Sequence, residues 1–191
     1  MALFRKNYEG KTDEELMSLL VKSEQSAFDE LYRRYSKPLL NFFFRMLNCE
    51  REKAEDFLHD LFLKIIENPE NFDHSRRFNT WFYTLATNIV KNEYRNLQVR
   101  NEHKQFLVDR QVETIGFNEE NIDKQQFEYH LQIEINKLDA ETKTLFNLRF
   151  VEEMSVKEIA GIMECPEGTI KSRLFYLSRH LSKKLSIFKP E

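Results

Sequence analysis

Glycine and proline are scarce in this chain, and their scarcity limits the folds that it can adopt. The 191 residues include only 4 Gly and 4 Pro, whereas the two together average about 12% of residues in proteins. Hairpins and tight strand connections rely on these residues, so few such turns are available. Apolar residues make up 41% of the sequence, which is enough to build a core. We therefore predict an all-α fold made of long helices.

Two capping boxes and one long apolar stretch predict the positions of helices. Thr12-Asp13-Glu14-Glu15 and Ser155-Val156-Lys157-Glu158 each place a hydroxyl three residues before a carboxylate. These two groups satisfy unpaired amides at the start of a helix. The stretch from Phe28 to Leu47 continues through Pro38, and its part from Leu39 to Leu47 is apolar nearly all round. Such a helix is expected at the centre of a bundle.

A polar segment divides the predicted helices into two groups. Residues 99–126 lose the helical periodicity and include Gly116, so we interpret them as a linker. The sequence therefore predicts two small helical domains, residues 1–98 and residues 127–191.

The C-terminal domain has the pattern of a helix-turn-helix. A short helix from the Ser155 capping box is followed by Glu164-Cys165-Pro166 and then by a second helix, which we predict from Pro166 to about Leu185. The predicted buried face of this second helix consists of Ile170, Leu174, Leu177, Leu181 and Leu185. Its opposite face is polar, aromatic and basic, and residues 170–191 carry a net charge of +5. This pattern is typical of a helix that contacts DNA phosphates and base edges.

The N-terminal domain contains an acidic segment followed by a basic one. Residues 50–73 carry a net charge of -5, and residues 76–100 carry a net charge of +4. The basic segment is also rich in aromatic residues, which are Phe78, Trp81, Phe82, Tyr83 and Tyr94. Cations for phosphates and flat rings for bases are what single-stranded nucleic acids require of a protein. We expect Trp81 and Phe82 to belong to the core instead.

Two blocks of this sequence resemble the bacterial sigma factors. Residues 138–150, 154–160 and 166–174 closely resemble region four of that family, and Gly168-Thr169-Ile170-Lys171-Ser172-Arg173 is the most specific string. Residues 27–32, 54–62 and 78–83 are similar to region two. The order and spacing of the two blocks resemble the two-domain architecture of the extracytoplasmic-function (ECF) class.

The resemblance implies a function and three sets of contact residues. It implies a sigma factor that binds core RNA polymerase, directs it to promoters and helps to melt the DNA. Major-groove reading of the minus-thirty-five element is expected from Thr169, Lys171, Ser172, Arg173, Phe175, Tyr176 and Arg179. Binding of the single-stranded minus-ten element is expected from Phe72, Arg76, Arg77, Asn79, Asn88, Lys91 and Arg95. Polymerase binding is expected from Asp56, Phe57, His59, Asp60 and Leu63.

The sequence gives no indication of catalysis, of a cofactor or of a metal site. There is no glycine-rich phosphate loop or nucleophile motif, and the five histidines are scattered without ligand spacing. Cys49 and Cys165 are far apart and are interpreted as reduced thiols. Without a catalytic motif, we expect that the protein is not an enzyme. No stretch is apolar enough to suggest membrane insertion, so we expect a cytoplasmic protein. The resemblance also raises an anti-sigma factor as a further partner, which the sequence does not identify.

Two other interpretations of the sequence remain open. One is a stand-alone helix-turn-helix regulator whose N-terminal bundle dimerises; the formal net charge of -3 mildly disfavours it, because a lone DNA-binding protein gains from a positive charge. The other is a helical adaptor that uses both domains for protein contacts. Of the three interpretations, only that of a sigma factor predicts both a tight complex with core polymerase and a promoter-dependent transcript.

Overall fold

The computed structural model describes residue 8, residues 10–102 and residues 122–188. Every regular element in these ranges is helical, which confirms the predicted all-α class. The α-helices there are α1 Asp13–Leu20, α2 Gln25–Met46, α3 Arg51–Glu67, α4 Phe78–Glu102, α5 Ile122–Asn136, α6 Ala140–Phe146, α7 Val156–Ile162 and α8 Glu167–Lys184. Shorter 3-10 helices span Pro69–Asn71 and Ser186–Phe188, and a π-helical turn, Asn147–Val151, follows α6 directly.

Helical structure extends into both ends of the segment that was interpreted as a linker. Helix α4 continues to Glu102 and α5 begins at Ile122, so helices include the first and last residues of the predicted 99–126 segment. Polar residues such as Gln, Asn, Lys and Glu extend a helix at modest cost even where no apolar face is present to signal it. Residues 103–121, with Gly116, lie outside the described part of the chain.

Both predicted capping boxes are present. Thr12 Oγ1 accepts a hydrogen bond from the Glu15 amide at 3.2 Å, and Glu15 Oε2 accepts one from the Thr12 amide at 2.9 Å. Ser155 and Glu158 make the same reciprocal pair, at 3.2 and 3.0 Å. Asp139 similarly caps α6 through two amide contacts of 3.0 Å. These side chains fix where three helices begin.

Aromatic packing around α2 forms the core of the N-terminal half. The ring of Tyr35 on α2 lies 5.3 Å from that of Phe78 and 5.5 Å from that of Phe82, both on α4. Phe62 on α3 meets Phe82 edge to face at 5.4 Å. Phe42 is fully buried. One set of rings therefore joins three helices, as the apolar α2 sequence predicted.

A polar cluster attaches α1 to α2. Arg34 donates to Asp13 Oδ1 and to Glu30 Oε1, each at 2.7 Å, and Tyr35 OH donates to Asp13 Oδ2 at 2.5 Å. Arg33 makes a two-pronged contact with Glu30 at 2.8 Å. Hydrogen bonding from Arg33, followed by that from Arg34, lowers the pKa of the buried Glu30 carboxyl to about 2.

Buried apolar residues of α6, the π-helical turn, α7 and α8 pack together in the C-terminal half and include Leu145, Leu148, Ile159, Ile170 and Leu177. They belong to one hydrophobic cluster with the core of the N-terminal half. This half also contacts the N-terminal one, because α7 packs along α4 and α6 lies against α2.

Glu30→Gln should destabilise the protein in a pH-dependent way. The substitution keeps the shape of the side chain but removes the negative charge that Arg33 and Arg34 share at this position. Because folding depresses the pKa of this carboxyl from 4.5 to about 2, its contribution is complete above pH 4.5 and is lost as the pH falls towards 2. We expect a loss on the order of 2 kcal/mol at pH 7, measured by urea denaturation, and a smaller loss at pH 3.

Glu55→Gln is the matched control for that experiment. Glu55 also pairs with an arginine on its own helix, Arg51, but both side chains are largely exposed. Its removal should cost no more than about 0.5 kcal/mol. An equal loss of stability in the two variants would contradict the stabilising role of the Glu30 carboxylate. So would a Glu30→Gln effect that is the same at pH 7 and pH 3.

Candidate nucleic-acid interface

Helices α7 and α8 are joined by a tight turn. Helix α7 ends at Ile162, and Glu164 then adopts the left-handed conformation with φ 53°. The Cys165 amide donates to the Ala160 carbonyl at 3.1 Å, which closes the end of α7. Pro166 is the N-cap residue of α8, one position before the place expected from the sequence. The predicted helix-turn-helix is therefore present.

The outward face of α8 carries cationic and aromatic side chains. Ile170, Leu177, Leu181 and Leu185 are buried as predicted, and Leu174 is half-buried. Phe175 and Tyr176 are 62% and 67% exposed, which is unusual for such large rings in a soluble helix. The polar members of the same face are exposed as well, and they are Lys171, Ser172 and Arg179. We name these five residues, Lys171, Ser172, Phe175, Tyr176 and Arg179, the α8 face.

Two other residues predicted to read the minus-thirty-five element are less exposed than the α8 face. Thr169 and Arg173 are half-buried, and Arg173 forms an ion pair with Glu141 at the start of α6. Glu141 occupies one nitrogen of the Arg173 guanidinium, and the other N–H groups remain as donors. Ser172 donates its hydroxyl hydrogen to the Gly168 carbonyl at 3.0 Å, so its oxygen remains available as an acceptor.

Three predicted residues on α4 share one exposed side of the helix. Asn88, Lys91 and Arg95 are all exposed. Their spacing of three and four residues places them above one another along α4. We name them the α4 face. Trp81 is half-buried and Phe82 is fully buried, in agreement with their predicted place in the core.

The loop before α4 separates the other residues that were predicted to contact the minus-ten element. Phe72 is only 3% exposed and packs against Trp81 with their centroids 5.1 Å apart, so its ring supports the loop from inside. Arg76 and Arg77 are exposed, and Asn79 is half-buried. Arg77 lies 3.4 Å from Glu158 of α7.

An Asx-type turn shapes the tip of that loop. The Ser75 amide donates to Asp73 Oδ1 at 2.9 Å, and the Arg76 amide donates to the Asp73 carbonyl at 2.9 Å. Hydrogen bonds from Ser75 lower the pKa of the Asp73 carboxyl, which therefore stays ionised and holds the turn.

Helix α3 exposes the acidic surface that was predicted to bind a protein. Asp56, His59, Asp60 and Leu63 are exposed on its outward side. Phe57 is half-buried, and its ring packs edge to face on Phe43, 5.8 Å away. We name the four exposed residues the α3 face.

The structure adds two apolar side chains near the α3 face. Tyr32 and Ile66 are both exposed, and the ring of Tyr32 lies 4.8 Å from that of Phe62, the residue before Leu63. Both residues belong to apolar stripes at helical spacing, and that pattern alone does not distinguish exposed positions from buried ones. The one signal in the sequence was that α2 and α3 each have more apolar residues than a single helix face can bury, so some of them had to be exposed. Exposed apolar groups beside acidic ones are common at protein interfaces.

The described residues offer neither a metal site nor a membrane span. No group of three or more His, Cys, Asp or Glu side chains there is arranged to hold a metal ion. None of the helices in those ranges is both long and apolar enough to cross a membrane.

Comparisons with known families and proteins match two regions of this chain to one family. Residues 31–100 match the family described as Sigma-70 region 2, and residues 132–180 match Sigma-70, region 4. The chain is 27% identical to the RNA polymerase sigma-H factor of Pseudomonas aeruginosa over 91% of its own length and 93% of that protein. It is 28% identical to the ECF RNA polymerase sigma factor SigW of Bacillus subtilis, over 86% and 91% of the two chains.

Two solved structures share the fold. The sigma factor RpoE of Bartonella quintana, solved with the anti-sigma factor NepR, aligns with a TM-score of 0.69 at 20% identity, covering 85% of this chain and 98% of that one. CnrH, solved with the cytosolic domain of CnrY, aligns with a TM-score of 0.68 at 19% identity over 93% and 99% of the chains. With both sigma-70 regions present in order and full-length similarity to ECF proteins, the chain belongs to the sigma-70 family and to its ECF class.

Proposed function

We propose that this chain binds core RNA polymerase and directs promoter-specific transcription initiation, acting as a noncatalytic subunit in the cytoplasm. The observation that carries the proposal is the α8 face, whose cations and rings are exposed while the opposite side of the same helix is buried. In this proposal residues 1–98 bind polymerase and the minus-ten element, and residues 127–191 bind the minus-thirty-five element.

The α8 face reads duplex DNA in this proposal. Lys171 and Arg179 supply charge for phosphates or guanine edges, and Ser172 supplies a hydroxyl. Phe175 and Tyr176 supply apolar surface for thymine methyl groups. The exposure of both rings leaves them accessible to base edges in the major groove.

The α4 face and the neighbouring loop bind the separated strand. Lys91 and Arg95 lie along the helix as phosphate partners, and Asn88 can read a base edge. Arg76 and Arg77 extend this positive surface at the loop. Since Phe72 is buried, it acts by holding the loop in place rather than by stacking on a base.

The α3 face binds core polymerase. Asp56 and Asp60 supply charge, and Leu63 with Tyr32 supplies apolar area at the centre of the contact. His59 lies on the same surface.

An anti-sigma factor is a further proposed partner. Its support is the fold that this chain shares with two sigma factors solved in complex with other proteins.

Run-off transcription tests the main proposal. Purified core polymerase is incubated with this chain and a library of genomic fragments, and the transcripts are sequenced. We expect a limited set of start sites that depend on the chain. A specific duplex-binding dimer that yields no chain-dependent transcript would instead support a stand-alone regulator, and the absence of both would support an adaptor.

Asp56→Lys/Asp60→Lys should weaken binding to core polymerase by at least about tenfold at matched salt, because it reverses the charge at the centre of the α3 face. Binding is measured by titrating labelled protein with core polymerase. Glu70→Lys/Glu153→Lys makes the same charge change at exposed positions outside α3 and should bind like the parent. Equal affinities of the two double variants would remove the α3 face from the polymerase contact.

Arg179→Ala should weaken binding of the reconstituted holoenzyme to a promoter duplex from the run-off experiment. The slope of log affinity against log salt should fall in magnitude by about one if Arg179 neutralises a phosphate. Lys22→Ala removes an exposed cation from the N-terminal half and is the control. An unchanged slope for Arg179→Ala would exclude a phosphate contact by this residue.

A further inference from the structure

Helix α4 begins next to charges of the unfavourable sign. Arg76 and Arg77 directly precede its first residue, Phe78, and its first turn contains no acidic residue. The N-terminal end of a helix carries a partial positive charge, which favours carboxylates there and disfavours cations. The first amides of a helix also need acceptors from outside the helix. The first turn of α4 therefore supplies no countercharge of its own.

A carboxylate from a distant helix takes this position. Glu14 of α1 accepts a hydrogen bond from the Phe78 amide through Oε1 at 2.9 Å, and the two residues are 64 positions apart in the sequence. Burial opposes the ionisation of Glu14, but hydrogen bonds, chiefly that from the Phe78 amide, and the nearby charge of Arg77 outweigh burial and lower the pKa of this carboxyl. Glu14 is therefore ionised at neutral pH and gives α4 both an acceptor and a negative charge.

Helix α1 holds Glu14 firmly in place. The preceding residue, Asp13, accepts hydrogen bonds from Arg34 and Tyr35 of α2 at 2.7 and 2.5 Å. The ring of Tyr35 packs in turn on that of Phe78, with the centroids 5.3 Å apart. The first residue of α4 is thus fixed twice, by its buried ring and by its amide.

Phe78 is the junction between the two surfaces proposed to bind the separated strand. The loop with the exposed Arg76 and Arg77 ends there, and the α4 face lies further along the helix that starts there. Both surfaces must keep a constant spacing to meet nucleotides of one strand. A frayed first turn would let the loop move relative to the α4 face. Only the fraction of molecules with the correct spacing would then bind, which weakens the apparent affinity in proportion.

We propose that Glu14 is a positioning residue for the separated minus-ten strand, because it caps α4 from α1 and so keeps the loop arginines and the α4 face in one arrangement. The inference rests on the proposed function. It gives a role to α1, which contributes to none of the α3, α4 and α8 faces. Glu14 touches no nucleotide in this role. Its loss should therefore affect how well the protein distinguishes minus-ten sequences, while every cation that contacts phosphate remains in the chain.

Forked promoter templates test this role. A promoter from the run-off experiment supplies the upstream duplex, which is joined to a single-stranded minus-ten segment of the non-template strand. A second fork has the same duplex but transversions at the minus-ten bases. The full chain is reconstituted with core polymerase, and its affinities for the two forks are compared. Because phosphate contacts and the duplex are common to both forks, the affinity ratio reports the reading of the minus-ten bases.

Glu14→Ala should lower this ratio about fivefold, the size typical of losing one helix-capping hydrogen bond. The loss should fall on the matched fork. Glu14→Gln removes the same charge but keeps a side-chain oxygen that can accept from the Phe78 amide, so it should restore most of the ratio. In the free proteins, deuterium exchange of the Phe78 amide, followed by NMR, should be faster in Glu14→Ala than in Glu14→Gln.

Glu15→Ala is the matched control. Glu15 is the next residue of α1, and its carboxylate also accepts a backbone hydrogen bond at 2.9 Å, but from Thr12 at the start of its own helix. This variant loses a similar contact without touching α4, so it should keep the parent ratio. Urea denaturation of each variant establishes that it is folded at the assay temperature, which separates a change in the ratio from unfolding.

The outcomes separate this inference from the proposed function. A Glu14→Ala protein with the parent ratio would overturn the positioning role and leave the proposed function intact. Equal losses in Glu14→Ala and Glu15→Ala would overturn it as well, since they would reflect a general loosening of α1. Equal losses in Glu14→Ala and Glu14→Gln would show that the charge acts rather than the hydrogen bond, which would overturn the capping role. A parent protein that binds both forks equally would overturn the proposed minus-ten contact and this inference with it.

Discussion

Aromatic packing between α2 and α4 is the interaction on which the rest of the molecule depends. Tyr35, Phe78 and Phe82 place the two helices side by side, and Phe62 adds α3 to the same cluster. These rings leave the α3 face and the α4 face exposed on different helices of one rigid unit. Tyr83 belongs to the same core through its ring, while its hydroxyl reaches Glu152 in the other half. The core that presents the binding surfaces therefore also determines where the C-terminal half docks.

Much of the fold could be predicted from local sequence signals. The two capping boxes gave the starts of α1 and α7, because their hydrogen bonds involve only four consecutive residues. The 22 residues of α2 were predictable from an apolar stretch that continues through Pro38. The last turn of α4 and the first turn of α5 were not predicted, because their sequence has no clear apolar periodicity. Contacts between the halves were not predicted at all, since Glu152 and Lys143 look like surface residues until a distant partner is known.

The binding surfaces were predictable where they follow a single helix. The spacing of hydrophobic residues in α8 indicates which side is buried, and the α8 face follows from it. Helical spacing likewise predicts that Asn88, Lys91 and Arg95 lie on one side of α4. It fails in the loop before α4, where Phe72 turns inwards because of long-range packing on Trp81. It also misses Tyr32, whose exposure depends on how closely α3 approaches α2. The position of a residue can thus be predicted from the sequence when it depends on the periodicity of a single helix. When it depends on packing between several elements, the structure is needed.

The π-helical turn at Asn147–Val151 has a consequence for how this protein tolerates change. A π turn accommodates one more residue than an α turn. Deleting a single residue there would rotate everything that follows by about 100° around the helix axis. Glu152 would then point away from Arg45 and Tyr83, the two residues that donate hydrogen bonds to it, although all three were still in the chain. The register of the backbone at this turn, as much as the identity of the side chains, therefore determines how the halves meet.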